Sequence, residues 1–318
     1  NIIHITSGTN FTAGWYEITV FTNSSTVTID RTAAPSLDGS AGVGYVGGAM
    51  SLNSTLDDDF IEALVSGNTV YCQYSVSSFS LGEGIDAAID GTATAPITFE
   101  GYQTTRGDNP VLTNRPTIAA AANTLRFDDF WIFKNIIVTT TEAQGLRADT
   151  GSQISNCKIT NSSVTADRTA INLGATASTE GSRVIKCEAI STNGNAIGVF
   201  GFGLISFSYL HNSSDGIDST NSAGDMVSIF NNIIDTCTNG ITIGANFGIK
   251  VINNTIYGCT TGITGSTGNN GSYINNIISG CTTGASWTTE QLINFWDNNC
   301  WNNTTDVSNV TKGDNDIT

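Results

Sequence analysis

The chain is expected to fold as an all-β protein, a right-handed parallel β-helix of about ten rungs, each about 22 residues long. Three observations predict it. The strings Ile229-Phe-Asn-Asn-Ile-Ile, Val251-Ile-Asn-Asn-Thr-Ile and Tyr273-Ile-Asn-Asn-Ile-Ile recur, placing Asn232, Asn254 and Asn276 at equal steps of 22. The segment that follows repeats with the same step, with Cys237, Cys259 and Cys281 leading to Gly240, Gly262 and Gly284. Composition agrees: 34 glycines but 4 prolines accompany abundant Thr, Ile and Asn, residues that favour strands and turns.

The repeat carries a physical logic. In a parallel solenoid, equivalent residues stack about 4.8 Å apart. A buried amide with no partner costs about 1–3 kcal/mol, whereas stacked Asn side chains satisfy one another. Asn232, Asn254 and Asn276 are therefore expected to form an inward ladder, with Asn231, Asn253 and Asn275 pointing outward. Asn135, Cys157, Cys187 and Ser208 are placed in the same slot of earlier rungs, with a loop inserted between Cys157 and Cys187. Cys237, Cys259 and Cys281 read as free thiols stacked in the interior, not as metal ligands, because a single column cannot converge tetrahedrally on zinc. Seven cysteines, an odd number, suggest no disulfide framework. Gly145, Gly216, Gly240, Gly262 and Gly284, with Ala170 and Ala196 in the same slot, are read as the bend into the next strand.

Taken in order, residues 1–48 read as a small N-terminal β domain of short strands ending in a Gly-rich link from Asp38 to Gly48. Residues 49–68 read as a linker and a capping helix, in which Phe60, Ile61 and Leu64 share a face and Asp57 to Asp59 sit at the positive N-terminal end. Its job would be to cover the apolar core and open strand edges of the first rung. Residues 69–318 form the β-helix, with a loop and a strand over 103–125. An aromatic-rich end, Trp287, Phe295, Trp296 and Trp301, is expected to cap the last rung or to meet a partner chain.

Only 13% of residues are charged, yet the net charge is −16. That balance argues against nucleic-acid binding and would repel anionic polymers unless a local patch or a cation intervened. No stretch of 18 apolar residues is present, so no membrane insertion is expected. Beginning at Asn1 without an initiator Met, the chain reads as a processed product or a fragment of something longer.

The Ile-x-Asn-Asn-x-Ile pattern with its Gly-Ile step resembles the right-handed β-helix repeat proteins of the pectate-lyase-like superfamily. So do the openings Gly67-Asn-Thr-Val-Tyr-Cys, Gly91 to Tyr102 and Phe130 to Val138. The resemblance covers about residues 50–300. That superfamily holds polysaccharide lyases, glycoside hydrolases, bacteriophage tailspikes and catalytically silent solenoids. Ser7 to Thr19, Val27 to Arg31 and Val46 to Ala49 resemble leader segments ahead of β-helices in phage structural proteins. The resemblance implies a virion appendage of tailspike or head-fibre type. Such a protein would be homotrimeric, assembled with other virion proteins, virion-borne or extracellular, and bound to cell-surface polysaccharide. A lyase or hydrolase of an acidic polysaccharide and a bacterial secreted or surface adhesin are the alternatives.

Asn212-Ser-Ser-Asp-Gly-Ile-Asp218 is similar to the Asn-Thr-Asp-Gly-x-Asp stretch of polygalacturonase-like hydrolases, which implies Asp215 and Asp218 as a catalytic carboxylate pair. The rest of that signature is missing. The next rung reads Cys237-Thr-Asn-Gly-Ile, the Gly-His-Gly and Arg-Ile-Lys motifs are absent, and His211, the solenoid's one histidine, precedes the pair. Ser-Asp-Gly-Ile is also ordinary turn chemistry, the reading favoured here. No cofactor is expected. A lyase would need Ca²⁺ held by clustered carboxylates. Asp218 shares an outward column with Asn172 and Arg147, but these lie two and three rungs away, about 10 and 14 Å, too far for one ion. A second outward face carries Lys134, Lys158, Lys186 and Glu188, with Lys158 and Glu188 as vertical neighbours in a surface ion pair. Lys186, Glu188, Phe207 and Tyr209 are the candidates for contact with a glycan.

Overall fold

A computed structural model describes residues 2–23, 26–33, 39–47, 61, 64–74, 78–81, 84–121, 125–142, 144–174, 181–220, 226–244, 247–266, 270–291 and 295–310. Two compact units result: Asn1–Ser51 with Tyr71–Gln73, and Leu52–Val70 with Tyr74–Thr318.

The first unit is an antiparallel sheet in the order Thr26–Ile29, Gly14–Asn23, Ile2–Thr9, Ser40–Gly47. Ile5, Tyr16 and Ala33 form its small core, with Ile3, Phe11 and Ile29 packed against them. The Gly-rich stretch expected to be a link is therefore largely an edge strand. Its glycines serve close approach, since a Cβ on Gly42 would stand 2.8 Å from the Phe11 ring.

The second unit is a parallel β-helix. Each full rung contributes three strands, as in Val227–Phe230, Ile233–Asp235 and Asn239–Ile243, and each pairs in parallel with its counterpart one rung on. Among the described residues the stack of third strands counts ten members, from Ile85–Ala87 to Thr305–Val310. Strand alternation puts one set of side chains inside. Ile234, Ile256 and Ile278 form one fully buried column, and Ile241, Ile263 and Ala285 another. Burying each Ile contributes roughly 1.5–3 kcal/mol, so these columns add to the backbone ladders in holding the rungs together.

Two bends per rung share one design: a residue in the left-handed region, then an inward-facing side chain that is small or an amide in every case but Ile136. The first bend uses Asn135, Asn156, Lys186, Phe207, Asn231, Asn253 and Asn275, with φ between 53° and 61°. The second uses Asn212, Thr236, Gly258, Gly280 and Asn302. Asn and Gly enter this region readily, which explains their enrichment; Lys186 and Phe207 hold it at a cost of about 1–2 kcal/mol each.

The expected ladder exists, and its start is displaced. Asn232 Nδ2 donates to Asn254 Oδ1 at 3.0 Å, and Asn254 Nδ2 donates to Asn276 Oδ1 at 3.0 Å. Asn276 Nδ2 donates to Asn298 Oδ1 at 2.7 Å, one rung further than anticipated. Each amide oxygen also accepts the backbone N–H of the residue one rung before it. Backwards, the slot continues through Ser208 and Cys187 to Cys157. Asn135 does not belong to it. The pairing of Lys134 with Ser155 and of Ile137 with Lys158 makes Asn135 equivalent to Asn156, and Ile136 takes the inward place. Asn135 is nonetheless buried, accepting from Asn156 Nδ2 at 2.6 Å. The repeat was slipped by one residue because both positions beside the bend accept Asn. Asn231, Asn253 and Asn275 do face outward, and Asn275 donates to Asn253 at 2.7 Å.

The Gly145 to Gly284 slot is not a bend. It lies inside the third strand, where a Cβ on Gly240 or Gly262 would come 2.4 Å from the carbonyl oxygen of the next rung's glycine. Glycine is kept there for close backbone approach. Cys237, Cys259 and Cys281 are buried free thiols, each donating to a carbonyl of its own rung. Trp287 is no terminal lid: it lies inside the core, edge-on to Tyr273 at 5.3 Å. The side chains of Phe295 and Trp296 lie outside the described residues. So does most of the expected capping helix, of which Ile61 is helical and buried.

Candidate functional site

Asp215 and Asp218 lie on Asp215–Ser219, a strand and not the turn that its Asp-Gly pair suggested. Both carboxylates tie rungs together. Asp215 Oδ1 accepts from Asn239 Nδ2 at 2.7 Å and from Thr242 Oγ1 at 3.0 Å, both on the following rung. Asp218 accepts from Asn195 Nδ2 at 2.9 Å and from the backbone N–H of Thr220 at 2.9 Å. Burial pushes the Asp215 carboxyl above its ordinary range, the charge of Asp218 adds to this, and the Asn239 and Thr242 bonds partly offset it. The outward column from Asp218 through Gly198 and Asn172 to Arg147 is as expected; Arg147 pairs with Asp149 at 2.9 Å, and Asn172 is buried.

The other candidates lie at the first bend and on the outer face of the second strands that follow it. Lys186 and Phe207 occupy the first bend of successive rungs, and Glu188 pairs directly with Tyr209. Lys158 Nζ donates to Glu188 Oε1 at 2.7 Å, the vertical pair expected from sequence. Lys134 pairs elsewhere, with Glu100 at 2.7 Å. His211, which the sequence singled out only by rarity, completes the group. Its Nε2 lies 3.2 Å from the same Glu188 oxygen, its Nδ1 2.8 Å from Asn212 Nδ2, and its ring stacks on Tyr209 with centroids 4.2 Å apart. Tyr209 in turn donates its hydroxyl to Asp235 at 3.0 Å.

Burial would raise the Glu188 carboxyl, but the bonds from Lys158 and His211 prevail and hold it below its ordinary value. The Tyr209 hydroxyl is pushed up by burial and by its bond to the Asp235 carboxylate. The result is a fixed aromatic platform with its polar edge already oriented. Beyond it, Ile233, Tyr257, Ile277 and Trp301 are exposed on the same face. Phe207 is 59% exposed, Tyr257 59% and Trp301 50%. Asp235 and Tyr257 were missed in the sequence, and Trp301 was assigned to a cap. The spacing signal was present: Tyr257 and Trp301 stand two 22-residue repeats apart.

A stack of parallel strands with inward Asn and Cys columns, two left-handed bends per rung and a polar–aromatic outer face defines a right-handed parallel β-helix of the pectate-lyase-like fold. The chain belongs to the NosD family, whose model, described as periplasmic copper-binding protein (NosD), matches residues 131–317, more than half its length. Two solved structures share the right-handed fold. An alginate lyase from Paenibacillus sp. str. FPU-7 superposes with a TM-score of 0.55 at 13% identity, covering 83% of this chain and 97% of that one. The pectate lyase Pel9A gives a TM-score of 0.51 at 13% identity, covering 82% of this chain and 72% of that one. Identities this low establish the fold alone. No curated protein matches by sequence.

Proposed function

We propose that this chain is a non-catalytic attachment protein that holds a polysaccharide against the outer face of its second strands. One observation carries the reading: Tyr209, Tyr257 and Trp301 are exposed on a single strand face, beside the bonded Lys158–Glu188–His211 group. Sugars bind where flat rings meet their C–H faces and fixed polar groups meet their hydroxyls. A virion appendage and a surface adhesin would use such a face alike.

The lyase reading draws support from the two fold neighbours, but Asp215 and Asp218 are engaged in holding rungs together. The family's description names copper. The donor set here does not fit it. Among the described residues no three His, Cys, Asp or Glu side chains gather around a common point. His211 is engaged by Glu188 and Asn212, and the thiols of the Cys237 column point their protons at carbonyls.

A panel of neutral and acidic polysaccharides, run by affinity electrophoresis and by assays for new reducing ends and unsaturated products, tests the proposal. Retention without product is expected. Product formation abolished by Asp215→Asn or Asp218→Asn would replace it with the enzyme reading, and no retention on any polysaccharide would overturn it.

A further inference from the structure

The outer face of the second strands carries two columns, and one of them alternates. Register places His211, Asp235, Tyr257, Ser279 and Trp301 in a single column, one residue per rung. Rings stand at the first, third and fifth positions, and short polar side chains stand between them. The first ring is doubled by Tyr209, stacked on His211. Tyr257 is held over the bend of the next rung, where Gly280 leaves room; a Cβ there would come 2.8 Å from the Tyr257 ring. Ser279 is only 6% exposed although its column faces out, as expected of a small side chain set between two large ones.

Rungs repeat at about 4.8 Å, so rings on alternate rungs stand about 9.6 Å apart along the solenoid axis. That is close to the repeat of an extended disaccharide in a β-1,4-linked chain, in which every second sugar presents the same face. The charge pattern narrows the class. From Thr255 onward the two columns hold Thr255, Ile277 and Asn299, with Tyr257, Ser279 and Trp301, none of them ionised at neutral pH. The chain as a whole carries −16, which opposes the approach of a polyanion.

We infer that the His211–Trp301 column is a linear binding track for an extended, uncharged β-1,4-linked glycan lying parallel to the solenoid axis, one disaccharide per two rungs. This rests on the glycan-binding reading above and adds to it the ligand's class, direction and period. A second copy of the chain would be a poorer occupant, because the net charge of −16 on each copy opposes their approach.

The test is titration calorimetry with the full chain and three six-sugar probes: a β-1,4-linked glucan, a β-1,4-linked N-acetylglucosamine oligomer and an oligogalacturonate. At least one neutral probe binds, the oligogalacturonate binds more weakly, and Tyr257→Ala and Trp301→Ala each weaken the neutral probe by roughly tenfold. Both residues are exposed, so the melting temperature serves as a control and stays unchanged. Neutral-probe binding indifferent to both substitutions would sink the track while leaving glycan binding intact. Preference for the oligogalacturonate would sink the uncharged class. Binding of none of the three, with a concentration-dependent oligomer that Tyr257→Ala dissolves, would make the face a contact between copies and overturn both the track and the glycan reading.

Discussion

Inside and outside columns of the same rungs obey different rules. The inward column runs Cys187, Ser208, Asn232, Asn254, Asn276, Asn298, and each member offers an acceptor or a small side chain to the rung before it. The outward column two residues from the bend runs Glu188, Tyr209, Ile233, Thr255, Ile277, with no shared chemistry. The interior repeats because buried N–H groups must be met at every rung. The exterior is free of that demand, so whatever order it shows is available for recognition. The difference teaches where to look on a solenoid: the columns that repeat hold the rungs together, and those that depart from the repeat are where recognition is to be sought.

The comparison breaks most visibly at Asn254. Asn254→Leu removes the acceptor of both the Asn232 backbone N–H and its side-chain amide, and is expected to cost about 2–3 kcal/mol in urea denaturation. An unchanged midpoint would mean that the ladder is not structural. Gly262→Ala comes next. The added methyl would meet the Gly284 carbonyl oxygen at 2.4 Å, so a loss of about 1–3 kcal/mol is expected from forced separation of two rungs. In the earlier rungs Ala170 and Ala196 already occupy this slot, and Ala196→Gly should cost no more than about 1 kcal/mol, chiefly through backbone entropy.

Ser208→Ala sharpens the contrast within the interior. It takes away the oxygen that accepts the Cys187 N–H at 3.2 Å, and a loss of about 1–2 kcal/mol is expected. The smallest effect belongs to the outer ion group. Glu188 titrates below its ordinary value in the fold, so its contribution is present above the unfolded carboxyl's pKa and disappears as pH falls through the folded one. Glu188→Gln should lower stability by less than about 1 kcal/mol at neutral pH and leave no difference from the parent in strong acid. A difference that grows in acid would reverse the assigned sign.

The interior was legible because its demand repeats. Asn232, Asn254 and Asn276 recur at one constant step, and the buried thiols of Cys237, Cys259 and Cys281 follow from the same step. The frame slipped at Asn135, where a neighbouring bend position also takes Asn and the spacing to Cys157 is 21 from its true counterpart Ile136. The Gly column was visible but misread, since a glycine kept for carbonyl proximity looks in sequence like one kept for a turn. On the outer face Lys158–Glu188 was readable as a vertical pair. The His211 contact with Glu188 was not, because it runs diagonally between rungs: the register sets Glu188 against Tyr209, two residues before His211 on the same strand. Tyr257 is hidden in the sequence because its column alternates over two repeats and shows no identity from one repeat to the next.

The most direct measurement uses two substitutions three residues apart on one rung. Asn254→Leu and Tyr257→Ala are each assayed for thermal stability and for retention on a neutral β-linked polysaccharide. The account predicts that Asn254→Leu lowers the melting temperature, and that Tyr257→Ala leaves the melting temperature alone and loses retention by roughly tenfold. A Tyr257→Ala protein that is retained as strongly as the parent, or that melts as early as Asn254→Leu, would contradict the division between an interior that holds the fold and an exterior that reads the ligand.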